Sequence, residues 1–362
     1  MKQTIINYEH DAKCTIPLPG LKLLQDYENL ILSSKQEQII RYHLVPSEEA
    51  QVWCLSQDKG QIIAWLKRHK TTAKAQVELK SMKTWGKVLP CINIPQVIAH
   101  SNSYLLLSHC AGQVSHVLSA QDLKQIALFL ASLHNLPWVD QDPFTLSKAL
   151  HQRSLSIFKQ EENLKSTLQS QAPLHVEIFI ELIKILREPV PISTNDQLNR
   201  RCPCHRDIRL EHLLFNHPHQ DNVVLPSQKQ SVRPTLSIID WGQSRSDHWS
   251  SDWTKLCFES DQTPIIWQYY WQERLLSIRL SDQEKRLIPR MLRWALALHT
   301  LNTLKWAYLH QKPLLRTTQK LQDQTIIQDH SKTQDHIKSQ VWKRALDELI
   351  QMNNFALSQF TL

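Results

Sequence analysis

The sequence predicts an α+β protein of two lobes: a small β-rich lobe over residues 39–112 and a larger, mainly helical lobe over 113–362, preceded by an N-terminal extension over 1–38. Three observations lead there. Between Ile39 and His69 the runs IIRYHLV, AQVWCLSQ and QIIAWLKRH are rich in β-branched and aromatic residues, as half-buried strands are. Beyond Gly112 the apolar residues recur at helical spacing in long segments. Inside that half, two short apolar runs each carry an aspartate at one end, in HRDIRLEHLLFN (His205–Asn216) and IIDWGQ (Ile238–Gln243). Two strands would then deliver Asp207 and Asp240 to one end of a small sheet.

The elements follow in order. The extension holds one weakly helical stretch, LKLLQDYENLIL, whose apolar residues share a face that packs on the body. A turn at Asp58-Lys59-Gly60 joins the second and third strands as a hairpin. AQVELKSMKTWGKVL is helical, and IPQVIAH and SYLLLSHCAGQ are two further strands. SAQDLKQIALFLASLHNLPW is a helix capped by Ser119 and stopped by Pro137, and HVEIFIELIKILREP a second ended by Pro189. His217 to Pro234 is a polar excursion between the two aspartate-bearing strands. Helical spacing returns over 253–270, 282–310 and 340–360, with a Gln/Thr/His-rich stretch before the last that reads as a mobile loop.

Composition narrows the chemistry. With 362 residues and 41% hydrophobic content the chain can bury a sizeable core. No apolar run approaches the roughly 18 residues of a membrane span, and MKQTIINYEHDAK has no signal-peptide apolar segment, so a cytoplasmic protein without a membrane span is expected. Seven scattered cysteines predict reduced thiols rather than a disulfide framework. A net charge of +8 suits anionic ligands, but no dense Lys/Arg block with interleaved aromatics marks a nucleic-acid groove. Five glycines, all far apart, exclude a glycine-rich phosphate loop.

Two carboxylates at one sheet end suit phosphoryl transfer, one orienting the attacking hydroxyl and the other holding the magnesium ion that neutralises the phosphates. Lys67 closes the third strand, and Glu78 sits in the following helix. A strand lysine facing a helix glutamate is a pairing that grips nucleotide phosphates, whereas Lys67 taken alone reads as a solvated strand end.

From Ile39 to Lys305 the chain resembles the aminoglycoside phosphotransferase and choline kinase family, the small-molecule branch of the protein-kinase-like fold. The resemblance rests on LKR at Leu66–Arg68, Glu78, LLLSHCAG, LASLHNLPW, HRDIRLEHLLF, IIDWG and Asp252 in DHWSSDWTKL, all in the family's order. Protein kinases are the rival, but His134 and His205 lie 71 positions apart, and that gap holds a helical insertion typical of the small-molecule branch. The resemblance implies ATP and magnesium as cofactors and a small-molecule hydroxyl as acceptor. It gives Asp207 the task of orienting or deprotonating that hydroxyl and Asp240 the metal. Lys67 would contact the phosphates with Glu78 as its anchor, and the backbone of Ser108 and Cys110 would bind adenine. Asp252 and His205 would be structural supports.

Two departures keep a second reading open, that of a weak or inactive pseudokinase acting as a nucleotide- or partner-binding module. His212 stands where the family commonly has an asparagine as second metal ligand, and its ring either faces the metal or turns away into the loop. The loop VPSEEA lacks glycine and sets Glu48 and Glu49 against a triphosphate. As for the acceptor, Tyr270 to Ile350 holds 14 Lys/Arg against 8 Asp/Glu, which disfavours a polycationic aminoglycoside. Trp249, Trp253, Trp267, Trp271, Trp294 and Trp306 either form an aromatic box for an amine or sugar or, as their helical spacing suggests, simply fill the core.

Overall fold

The structure is a computed structural model and describes residues 16–31, 40–45, 50–57, 62–89, 91–115, 117–136, 143–191, 196–199, 201–216, 236–320, 342–352 and 360. The chain forms two compact units, one of residues 1–134 with 203–245, the other of 135–202 with 246–362. The Asp58–Gly60 turn, the loop residues 46–49, the excursion from 217 to 235 and residues 321–341 lie outside the described residues.

The first unit opens with α1 (Leu18–Ile31), followed by β1 (Ile40–Val45), β2 (Ala50–Gln57), β3 (Ile62–His69), α2 (Thr72–Val88), β4 (Val97–Ser101) and β5 (Tyr104–Ser108). The five strands make one antiparallel sheet in the order β1-β2-β3-β5-β4, so β3 is central. Alternation along β3 does the sorting. Ala64 and Leu66 enter a core with Trp53, Leu55, Tyr104, Leu106 and, from the N-terminal segment, Ile16, Leu23 and Leu24. Lys67 and His69, one position out of phase with them, point to the other face. There α2 begins under a Thr71 cap whose Oγ1 accepts from the Lys74 amide. Its buried stripe of Ala75, Leu79, Met82 and Trp85 includes one charged residue, Glu78.

The unit continues through β6 (Gln113–Val114) and α3 (Ala120–Asn135), whose start is the expected one: Ser119 and Asp122 cap each other reciprocally, at 2.9 Å for Ser119 N to Asp122 Oδ2 and 3.2 Å for Asp122 N to Ser119 Oγ. The chain re-enters by β7 (Cys202–Cys204), adds β8 (Leu213–Phe215) and β9 (Leu236–Ile238), and leaves by β10 (Arg245–Asp247). β6, β8 and β9 form an antiparallel sheet in that order, with Leu213 opposite Ile238. This register puts the start of β8 beside the end of β9, the arrangement anticipated for the two aspartates. Gly112 enters this sheet at φ +128°, and a Cβ there would sit 2.9 Å from the Leu214 carbonyl carbon. Gly112→Ala therefore combines backbone strain with a backbone clash and is expected to cost at least about 1–3 kcal/mol, read as a lowered urea midpoint. A variant as stable as the parent would show that the segment relaxes freely.

The second unit is helical: α4 (Pro143–Phe158), α5 (Glu161–Gln171), α6 (Val176–Arg187), α7 (Asp196–Asn199), α8 (Ser250–Glu259), α9 (Thr263–Leu275), α10 (Asp282–Lys320) and a helix over 342–352. Leu164, Leu168, Phe179, Leu182, Leu301 and Leu349 belong to one core. The tryptophans build a second. Trp249, Trp253, Trp267 and Trp271 are fully buried and edge-packed with one another and with Tyr270, so they form no open aromatic box. Trp294 is also buried, and Trp306 alone of the six is exposed. The helical stretch expected over 253–270 is two helices, because Pro264 starts a new one in its first turn and the chain breaks before it. α10 runs ten residues past the expected stop, through Pro313, a residue that local propensity reads as a helix end. Among the described residues no helix is long and apolar enough to cross a membrane.

Candidate active site

Every residue expected to touch the phosphates or the reacting hydroxyl lies in the first unit. Lys67 Nζ sits 3.1 Å from Glu78 Oε1 and 2.9 Å from Oε2. It also lies 2.7 Å from Asp240 Oδ1. Burial works against the ammonium's charge, yet the two carboxylates outweigh it and hold Lys67 above the usual lysine range. Burial likewise disfavours the Glu78 carboxylate, which is 1% exposed, but Lys67 and then His69 keep its pKa below normal. His69 had not been anticipated. Its Nε2 lies 2.6 Å from Glu78 Oε2, the oxygen that Lys67 also approaches at 2.9 Å. The signal for it was there, because a residue two places along a strand shares the face of Lys67.

Asp240 follows β9 in a left-handed conformation, φ 61° and ψ 61°, and Arg206 beside Asp207 has φ 66°. Only three non-glycine residues among those described have positive φ, and two of them flank or form this site. Such strained positions concentrate where the surroundings impose an orientation. The constraints here are identifiable. The Ile239 amide donates to His212 O at 3.1 Å, and His205 Nε2 donates to Ile239 O at 2.9 Å. The buried His205 ring also packs edge-on against Trp241 at 4.7 Å, and Trp241 Nε1 donates to Ile238 O. The Asp240 carboxylate is thereby aimed with Oδ1 on Lys67 and Oδ2 toward His212. Although burial opposes its charge, Lys67, then His212 and His205, hold its pKa far below the normal carboxylate range.

The alternatives for His212 turn out to be compatible. Its Nδ1 donates to the Asp207 backbone carbonyl at 2.6 Å, which fixes the tautomer, while Nε2 faces Asp240 Oδ2 at 3.8 Å. One ligand atom from each of Asp207, His212 and Asp240 lies within 4.8 Å of the others. The Asp207 side chain is met by Arg209, whose Nε is 3.2 Å from Oδ1 and whose Nη1 is 3.3 Å from Glu211 Oε1. Arg209, the basic residue two places after Asp207, thus meets both acidic neighbours.

The remaining expected residues are placed as follows. Ser108 ends β5, and its amide donates to Gln96 O at 2.8 Å while its Oγ accepts from the Gln96 amide. Cys110 is buried, and burial pushes its thiol up to about 12, so it is inert. Between them His109 Nδ1 accepts from Trp65 Nε1 at 3.3 Å. Asp252 is fully buried in the first turn of α8, where a helix N-terminus favours a carboxylate. Gly242 is no conformational necessity, since a Cβ there would make only ordinary contacts of 3.5–3.6 Å with Asp240, Glu78 and His69.

The sequence pattern of the phosphotransferase enzyme family matches residues 43–275, more than half of the chain. No curated protein sequence matches it. Among solved structures the chain is similar to spectinomycin phosphotransferase APH(9)-Ia in complex with ADP and spectinomycin, at 12% identity and TM-score 0.58, over 92% of this chain and 98% of that one. It is similar to macrolide 2'-phosphotransferase MphH from Brachybacterium faecium at 13% identity and TM-score 0.50, over 82% and 96%. Choline kinase from Cryptosporidium parvum Iowa II also matches, at 14% identity and TM-score 0.46, over 88% and 93%. At these identities the first two likenesses establish the α+β, protein-kinase-like fold.

Proposed function

The chain belongs to the phosphotransferase enzyme family, and on that premise we propose that it transfers the γ-phosphoryl group of ATP to the hydroxyl of a small molecule in the cytoplasm. The observation that carries this reading is the convergence of Lys67, Glu78 and Asp240 in one ion-paired group beside Asp207 and His212. A divalent cation fits the donor set, because Asp240 Oδ2 and His212 Nε2 face each other next to the Asp207 carboxylate. Magnesium held there supplies charge neutralisation for the phosphates.

Each side chain then has a task. Lys67 binds the phosphates, kept cationic by Glu78, whose Oε2 His69 also meets. The backbone of Ser108 and Cys110 takes the adenine. Asp207 orients the acceptor hydroxyl and receives its proton as the hydroxyl oxygen bonds to the γ-phosphorus. The bond from that phosphorus to the β–γ bridging oxygen breaks, and ADP leaves. Arg209 orients the Asp207 carboxylate through Oδ1. His205 and Asp252 are structural. The burial of five of the six tryptophans removes the aromatic box as an argument for a quaternary amine. The basic balance of Tyr270 to Ile350 favours a neutral or anionic alcohol over an aminoglycoside.

Thermal unfolding with and without nucleotide tests the premise. ATP with magnesium at 100 times its Kd is expected to add about 2.7 kcal/mol of stability, and ATP alone less. ADP formation is then followed across amino alcohols, sugars and aminoglycosides. No stabilisation by any nucleotide would replace this reading with that of a partner-binding pseudokinase.

A further inference from the structure

The metal seat of this chain is not an all-oxygen one. His212 is buried, and its ring is held by the Nδ1–H bond to the Asp207 carbonyl at 2.6 Å. A carbonyl can only accept, so Nδ1 carries a proton and Nε2 is the nitrogen turned toward the site. It faces Asp240 Oδ2 at 3.8 Å and Glu211 Oε1 at 3.7 Å, both beyond hydrogen-bond distance. Asp240 is oriented to match: Lys67 takes Oδ1 at 2.7 Å, which leaves Oδ2 on the His212 side. An imidazole whose second nitrogen is anchored to the backbone is how proteins present histidine to d-block ions. Magnesium prefers oxygen donors and dehydrates reluctantly, whereas the d-block ions take imidazole nitrogen increasingly well along the row from manganese, the weakest of them, to copper.

We propose that His212 Nε2 and Asp240 Oδ2 form a mixed nitrogen–oxygen seat that selects a d-block divalent cation, manganese in the first instance, over magnesium. The proposal rests on the phosphotransferase reading for the purpose of the ion, but the seat is defined by side chains alone. His212 is thereby a specificity-determining ligand.

The test reads the ion rather than turnover. Manganese is titrated into the full-length protein, with and without a non-hydrolysable ATP analogue, and bound ion is counted by loss of the free-manganese electron paramagnetic resonance signal. Pulsed spectra then report whether a nitrogen-14 nucleus is coupled to it. The parent is expected to show nitrogen coupling and to lose it in His212→Asn. The preference for manganese over magnesium should fall at least about tenfold in that variant. Because His212→Asn also disturbs the bond to Asp207 O and can fail to fold, the parent's pulsed spectrum decides by itself. Manganese bound without nitrogen coupling, or no manganese bound at all, overturns the seat. Nitrogen-coupled manganese in a protein that takes no nucleotide supports the seat and overturns the phosphotransferase reading. Nucleotide bound with oxygen-only manganese does the reverse.

Discussion

Asp207→Asn is expected to lower turnover by about 10²- to 10⁴-fold while leaving nucleotide affinity near that of the parent. The substitution keeps side-chain volume and leaves the backbone untouched, so the carbonyl that anchors His212 is still present and the ring keeps its orientation. What disappears is the carboxylate that can receive a proton. The amide also faces Arg209 without a charge, which loosens the loop locally but removes no contact to the phosphates. Steady-state ADP formation with the best acceptor gives the first quantity, and calorimetric titration of an ATP analogue gives the second. Equal turnover in the two proteins would take Asp207 out of the chemistry. A parallel loss of nucleotide affinity would instead mean that it serves the metal.

Lys67→Met is expected to cost about 3–5 kcal/mol of stability as well as nucleotide affinity, because it removes the cation between two carboxylates, one of them buried. Its pH dependence is diagnostic. In the parent, Glu78 has a depressed pKa, so its stabilising contribution is present above the unfolded carboxyl's pKa and fades as pH falls through the folded value. In the variant the largest influence left on Glu78 is burial, which raises its pKa above the unfolded value. The folded state then binds the extra proton, and stability rises as pH falls from neutrality. The variant's urea midpoint should therefore rise between pH 8 and pH 5, while Glu78 leaves the parent's unchanged there and lowers it only as pH falls below the unfolded carboxyl's range. Parallel pH profiles would show that Glu78 is neutral or solvated in the parent and that the pair is incidental.

The strands were legible because their residues state the environment of each face. In IIAWLKRH the alternation separates Ala64 and Leu66, which enter the core, from Lys67 and His69 on the other face. The cap of α3 was legible for the same local reason, a Ser and an Asp three apart. What local pattern cannot state is which of two satisfactory environments a side chain finds. The tryptophans at helical spacing fit both a core and a ligand wall, and only tertiary packing chose the core. α4 and α5 were passed over because their apolar stripes are diluted by polar residues, and they are held through the core shared with α6 and α10. For His212 the two options do not compete, since an imidazole has two nitrogens: Nδ1 bonds within the loop while Nε2 faces Asp240.

Lys67 and Asp240 touch, yet they are 173 positions apart. At roughly 5–20 residues per second of synthesis, the lysine leaves the ribosome about 9 to 35 seconds before the carboxylate that completes its environment. Glu78 follows only 11 positions behind and can neutralise Lys67 at once, so the hairpin of β2 and β3 and the lysine–glutamate pair are able to form on the nascent chain. The β6-β8-β9 sheet must wait until residues 213–238 have emerged, and every helix from α4 to α7 is made in the meantime. The interrupted first unit thus stays incomplete, with its last strands still to come, through the synthesis of an entire helical insertion. Incomplete units of this kind expose apolar surface and unpaired strand edges, so a slowed synthesis across residues 135–202 is expected to lower the yield of folded protein.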